Sequence, residues 1–308
     1  MKPVIVLLDS DINAAQPALE KAVFLAGQMG APLQVYVNAY SAALIRAVGM
    51  DKEHLQRARD NVMRGWEKQL RRRLDKLDAP DSETHIFWEQ SEASTLADFI
   101  RRTDPALLVL HRVQEPLLKR LLLTPRDWKV IRKAPCPVLC VGETPWPEHP
   151  TVVAAVDPDH GLDHPDTLNN DIVAAARQIA KSLQSDVQLA HVVEYPDETL
   201  IMLAGEAVPV SLSSIDSLRR HYQERLISCA ADFDLPAESA LMLEGAPHRA
   251  LGEYMDTHPG VLVLGTVHRG AIRRLLLGST AEQILLHSAA DILVVKPDNF
   301  SSPWITKE

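Results

Sequence analysis

Cysteine is scarce in this sequence. There are three in 308 residues, Cys136, Cys140 and Cys229. An odd count without a C-x-x-C pair points to reduced thiols in a cytoplasmic setting. Cys136 and Cys140 flank "PVL" in an apolar run that reads as a buried strand rather than a metal or redox pair. Basic charge is short as well: 32 basic side chains stand against 41 acidic ones, a net charge of -9. That balance argues against a general binder of polyphosphate backbones, so no nucleic-acid partner is expected. Long apolar runs are missing too; none approaches a membrane span, so no membrane association is expected. The opening "MKPVIVLLDSD" has one lysine, a short apolar run and then acids, and reads as a first strand rather than a secretion signal. Catalytic signatures are also wanting. There is no G-x-S-x-G, no Walker loop, no H-E-x-x-H, and neither a HIGH nor an S-G-G-x-D motif. The expectation is a protein that is not primarily an enzyme.

What is present is ample apolar material in a repeated order. Apolar residues make up 46% of the chain, enough for sizeable cores, and the length suits two domains. A shift of 154 positions lays "VQEPLLKRLLLTPRDWKVIRKAPCPVLCV" from Val113 on "VHRGAIRRLLLGSTAEQILLHSAADILVV" from Val267 without a gap. The same shift lays "ALEKAVFLAGQMGAPLQVYV" from Ala18 on "IVAAARQIAKSLQSDVQLAH" from Ile172. The opening strands match at a shift of 148, "PVIVLLDSD" with "TVVAAVDPD". One duplicated unit explains these matches. The seam is the proline-rich "GETPWPEHP", which predicts domains over 1–146 and 147–308.

Each unit alternates strand and helix. A short apolar strand ends in an acid, Asp9 or Asp157; a helix with alanines at helical spacing follows, then a second strand, a charged helix, and further strand–helix pairs. Such alternation predicts right-handed βαβ crossovers and a parallel sheet with helices on both faces. Ligands in such sheets sit beyond the carboxyl ends of the strands. That rule gathers the acid after the first strand, the residues after the second, and the loop after Gly265.

The chain resembles a tandem universal stress protein, over essentially its whole length. Nucleotide-binding members carry G-x2-G-x9-G-[S/T] after the fourth strand and an aspartate closing the first. The second half has Gly265, then His268 where the second glycine belongs, then Gly278-Ser279 at the right distance; Gly270 stands two positions late. The resemblance implies two Rossmann-like domains, each a five-stranded parallel sheet in the order 3-2-1-4-5. It also implies last strands paired within the chain, an internal pseudo-dimer with a pseudo-twofold axis, and a homodimer as a further option. It implies a cytoplasmic stress-response role and an adenine nucleotide, ATP or AMP with Mg, or a similar phosphate-bearing ligand, in the second domain. Asp157 then meets ribose or metal, Val192 meets the base through its backbone, and Gly265, His268, Gly278, Ser279 and Thr280 surround the phosphates.

The residues themselves support two readings of that loop. Glycine after a strand lets a ligand approach the backbone, and the free N–H groups opening a helix suit phosphate oxygens. Equally, "STAE" from Ser279 is a capping box in which the serine satisfies its own helix. His268 either donates to a phosphate or blocks a triphosphate while admitting a shorter ligand. In the first half His111 replaces Gly265 and Pro125 replaces Ser279. Thr124-Pro125-Arg126-Asp127 remains a sound helix start, but the cradle is lost, so no nucleotide is expected there.

Other stretches take plainer readings. "DPDHGLDHPD" from Asp157 reads as a solvated acidic loop, since its spacing matches no metal motif. "LRRRLDKL" from Leu70 reads as a solvated helix face. The apolar stretches Ser41–Met50 and Thr199–Leu212 leave open an alternative, a cavity for an apolar or lipid-like ligand. A ligand-free interaction scaffold is the third option, its protein partners unspecified by the sequence.

Overall fold

The computed structural model describes residues 1–49, 51–115, 120–122, 124–159, 168–195, 212–266 and 279–305. The chain forms two compact units. The first takes residues 1–114 and 122–145, and the second residues 146–299. Two short segments cross that division. Glu115, Arg120 and Leu121 group with the second unit, and residues 300–305 group with the first.

The first unit runs β1 (Val4–Leu7), α1 (Pro17–Met29), β2 (Leu33–Asn38), α2 (Ala42–Val48), α3 (Lys52–Lys76), β3 (Glu83–Phe87), α4 (Glu92–Thr103) and β4 (Leu107–His111). A short ribbon, β5 (Val113–Glu115) with β6 (Arg120–Leu122), is followed by α5 (Pro125–Lys133) and β7 (Val138–Val141). Strand β1 pairs with β2 and β4, β2 with β3, and β4 with β7, all in parallel, so the sheet reads β3-β2-β1-β4-β7. The central strands carry no polar alternation because helices cover both faces: every residue of β1, β4 and β7 is buried.

Local chemistry marks the helix ends. Pro17 opens α1, and Gly30 closes it in the left-handed region at φ 61, where an L side chain is strained. The apolar face of α1 is Ala18, Leu19, Ala22, Leu25 and Ala26, spaced three and four apart. Asp51 caps α3 by accepting from the N–H groups of Glu53 and His54. Only Trp66, Leu70 and Leu74 of α3 are buried, so its arginine-rich end is the expected solvated face. Arg73 is the exception there: its guanidinium donates to the carbonyls of Ile12 and Ala14 and ties down the loop after β1. Residues 300–305 reach the other end of α5, where the Ser302 hydroxyl donates to the Lys133 carbonyl at 2.5 Å. That bond satisfies one of the carbonyls a helix end leaves bare.

The second unit repeats the plan with β8 (Thr151–Ala155), α6 (Leu168–Leu183), β9 (Val187–Val193), α7 (Leu212–Asp232), β10 (Ala240–Glu244), α8 (Pro247–Thr257), β11 (Gly260–Gly265), α9 (Ser279–His287) and β12 (Asp291–Val295). Its parallel pairings give β10-β9-β8-β11-β12. Equivalent backbone bonds fix the correspondence between units. The Leu8 N–H donates to the Tyr36 carbonyl as Val156 does to Ala190, and Arg112 donates to Val141 as Thr266 does to Val295. Asp9 therefore corresponds to Asp157, Tyr36 to Ala190, and His111 to Gly265.

Candidate functional site

In a parallel sheet with helical crossovers, one edge collects the carboxyl ends of the strands and the amino ends of the helices that return to it. In the second unit this edge brings together Asp157 after β8, Val192 near the end of β9, Gly265 at the end of β11, and Ser279 and Thr280 opening α9. His268 and Gly278 lie outside the described residues, as do the side chain of Ser279, the acidic stretch 160–166 and the apolar stretch 199–211.

The neighbourhood of Asp157 is ordered by its own loop. The Asp157 carboxylate accepts from the Asp159 N–H at 3.2 Å, and Asn169 at the start of α6 grips the Asp157 backbone, donating to its carbonyl at 2.7 Å. Arg225 of α7 donates to the Asp159 carboxylate at 3.1 Å and to the Pro158 carbonyl at 2.9 Å. Asp157 is thus an exposed carboxylate on a pinned backbone at the sheet edge. Among the described residues no group of His, Cys, Asp and Glu is arranged to hold a metal ion.

Two residues not singled out from the sequence share this edge. The His191 Nδ1 donates to the Val156 carbonyl at 3.1 Å, and its ring lies 5.2 Å from that of Tyr222. A carbonyl only accepts, so Nδ1 carries the proton and Nε2 of the neutral ring is the acceptor. Thr266, directly after Gly265, is fully buried, and its hydroxyl has no hydrogen-bond partner among the described residues. Buried polar atoms are nearly always paired, so that oxygen marks a place where a partner belongs.

Gly265 has a packing reason of its own. A Cβ there would lie 2.8 Å from Leu168 Cδ1 and 2.8 Å from Ile172 Cδ1. The glycine lets the start of α6 sit close over the end of β11. The space beside its Cα is filled by aliphatic side chains on that side, a use of the residue that its motif spacing does not reveal.

Cys229 of α7 reports on the same region. Burial, and then the Asp232 carboxylate, push its thiol up; Arg225 works the other way, and Asp157 adds to the rise. The nucleophile is the thiolate, so native Cys229 is expected to alkylate more slowly than a free thiol near pH 8, with its rate climbing only at higher pH. Iodoacetamide labelling read by mass spectrometry, native against urea-unfolded, checks this; equal rates refute it.

The corresponding edge of the first unit is filled. His111 stands where the second unit has Gly265, and its Nδ1 lies 3.0 Å from the Asp9 carboxylate. Thr124 and Asp127 form the capping box of α5: the Asp127 N–H donates to the Thr124 hydroxyl oxygen at 3.2 Å, and the Asp127 carboxylate accepts from the Thr124 N–H at 2.8 Å. Asp127 thereby places an internal anion at a helix start, the end of a helix that favours negative charge. Arg126 lies across the same edge, donating to the Leu8 carbonyl at 3.1 Å and to Asp127 at 3.1 Å. Burial opposes its charge, but the Asp127, Glu92 and Asp9 carboxylates outweigh that and hold the guanidinium above its ordinary value. Nothing in the spacing of Arg126 distinguishes it from an exposed helical arginine.

A model described as the universal stress protein family matches residues 1–142 and 151–296. Universal stress protein E of Photorhabdus laumondii is 26% identical over 294 residues, covering 94% of this chain and 93% of that protein. The universal stress protein E homolog of Haemophilus influenzae is 25% identical over 305 residues, covering 96% of this chain and 97% of its own. Among solved structures, a functionally unknown protein from Pseudomonas aeruginosa superposes with a TM-score of 0.68 at 23% identity, over 97% of this chain and 94% of that one. A universal stress protein from Archaeoglobus fulgidus gives 0.62 at 15% identity, over 95% of this chain and 98% of that one. At these identities the structural likeness speaks for the two-unit α/β fold alone.

Proposed function

From the premise that this chain belongs to the universal stress protein family, we propose that it is a cytoplasmic stress-response binding protein that takes an adenine nucleotide, or a similar phosphate-bearing ligand, in its second unit and not in its first. One contrast carries this reading. The first unit crowds its crevice with Tyr36, Glu92, His111, Arg126 and Asp127. At the equivalent places the second unit has Ala190, Pro247, Gly265, Thr280 and Ala281, all small or without charge, while it keeps the acid at Asp157.

In this reading the amides opening α9 at Ser279 and Thr280, with Gly265, His268 and Gly278, receive the phosphates. Asp157 meets the ribose hydroxyls or a Mg ion, and the Val192 backbone meets the base. The buried Thr266 hydroxyl is a further donor beside that loop. The role is binding; no side chain is assigned as a general base, so no reaction is proposed.

Mass spectrometry of gently denatured, freshly purified protein tests the proposal, together with thermal-shift titration against ATP, AMP and a fatty acyl ligand. A co-purifying or stabilising nucleotide is expected, with affinity falling roughly 10- to 100-fold in Asp157→Ala, as for loss of a hydrogen bond to a charged group. Stabilisation by the acyl ligand alone favours the rival reading, an apolar-ligand module. The observation behind that rival is α2, whose "AALIRAV" has no buried residue. No response to any of the three leaves an interaction scaffold.

A further inference from the structure

Three elements of the first unit converge on one side chain. Arg126 Nη1 donates to the Leu8 carbonyl at the end of β1 at 3.1 Å, and Nε donates to Asp127 in the first turn of α5 at 3.1 Å. Nη1 also lies 3.6 Å from Glu92, which opens α4, and Nη2 lies 3.8 Å from Asp9. The Arg126 side chain is 17% exposed and that of Asp127 is 2%.

The location is unfavourable for a cation on local grounds. The first turn of a helix carries the positive end of its dipole, and here the amino ends of α4 and α5 both adjoin the guanidinium. The three carboxylates reverse that preference: Glu92 and Asp127 sit on the two helix starts, and Asp9 completes an acidic wall around a planar cation. Spare polar capacity remains beside it. The Nε2 of buried His111 has no hydrogen-bond partner among the described residues. The Tyr36 ring lies next to Glu92, whose carboxylate, after burial, holds the phenol above its ordinary value. Three carboxylates therefore surround the one guanidinium.

We propose that the crevice of the first unit is a guanidinium receptor that the chain fills with its own Arg126. The internal occupant closes this unit to phosphate-bearing ligands. Once vacated, the crevice takes a small planar cation and not an anion. The sign follows from Asp9, Glu92 and Asp127, and the planar preference from a carbonyl and carboxylates disposed to meet several N–H groups of one fork. This assignment concerns the first unit and does not depend on what the second binds.

The test is a thermal-shift and hydrogen-exchange study of the full chain with Arg126→Ala. Each of methylguanidinium, methylammonium, sodium chloride and AMP is added at the same ionic strength. Methylguanidinium is expected to raise the melting temperature of the variant by roughly 3–5 °C at about ten times its dissociation constant. The recovered protection should lie in β1, α4 and α5, with no gain for the wild type, whose site is taken. Methylammonium and sodium should do nothing specific. If the alanine variant does not accumulate folded, refolding with methylguanidinium but not methylammonium should recover it. Arg126→Lys, which keeps a charge without the fork, should melt between wild type and alanine. Equal effects of the two organic cations, stabilisation of the alanine variant by AMP at this unit, or a lysine variant as stable as wild type would each overturn the proposal.

Discussion

Gly260→Ala is expected to destabilise the second unit by about 3 kcal/mol, the upper part of the range for overpacking. Gly260 opens β11 and is buried; its backbone pairs with Thr151 at the start of β8. A Cβ at this position would stand 1.9 Å from the Thr151 carbonyl oxygen and 2.5 Å from its nitrogen. Both are backbone atoms, so no rotamer change relieves the clash. Relief requires β8 and β11 to part at their amino ends, which strains the Thr151 N–H bond to the Pro259 carbonyl, 3.0 Å long in the native fold. These are two of the three innermost strands of the unit, so the damage is not confined to a rim. Chemical denaturation followed by hydrogen exchange checks it. The unfolding step that exposes β8, β9 and β11 should move to lower denaturant, and the one that exposes β1 and β4 should stay. A shift under about 1 kcal/mol would refute the argument.

Asp127→Ala should cost the first unit about 3 kcal/mol. The carboxylate caps α5 through the Thr124 N–H and hydroxyl, at 2.8 and 2.7 Å, a contribution of about 1 kcal/mol. It also accepts from Arg126, and losing a hydrogen bond to a charged group costs roughly 1.5–3 kcal/mol. Asp9 and Glu92 remain to receive part of the guanidinium charge, which keeps the cost below that of an isolated buried ion. The pairwise part is separable. In a double-mutant cycle with Arg126→Ala, the two losses should fall short of adding, because each single change already removes the shared bond. Strict additivity, measured by denaturant unfolding of the first unit, would show that the two side chains act independently.

These effects differ in how far they were visible before the fold. The helix start at Thr124 was legible because a capping box is local: donor and acceptor stand three residues apart, and any chain that turns helical there brings them together. The solvated end of α3 was legible for the same reason, through its period of charge. Gly260 left no signal, because what forbids a side chain is the backbone of Thr151, more than a hundred positions earlier. Gly265 was noticed for its motif, yet the side-chain ends that crowd it, those of Leu168 and Ile172, belong to another element. The chain's end gave no hint that Ser302 returns to Lys133 of the first unit.

Pattern alone gave the duplicated strand–helix order, the expectation of buried parallel sheets, and the acid closing the first strand of each half. Those features repeat at short, regular intervals, where periodicity and spacing are the physics. The tertiary structure alone decided that Arg126 gathers three carboxylates at one end of the first sheet. A guanidinium acquires that role only when β1, α4 and α5 carry Asp9, Glu92 and Asp127 to within a few ångströms of it, and charge in a water-poor crevice depends on distance in space, not on separation along the chain.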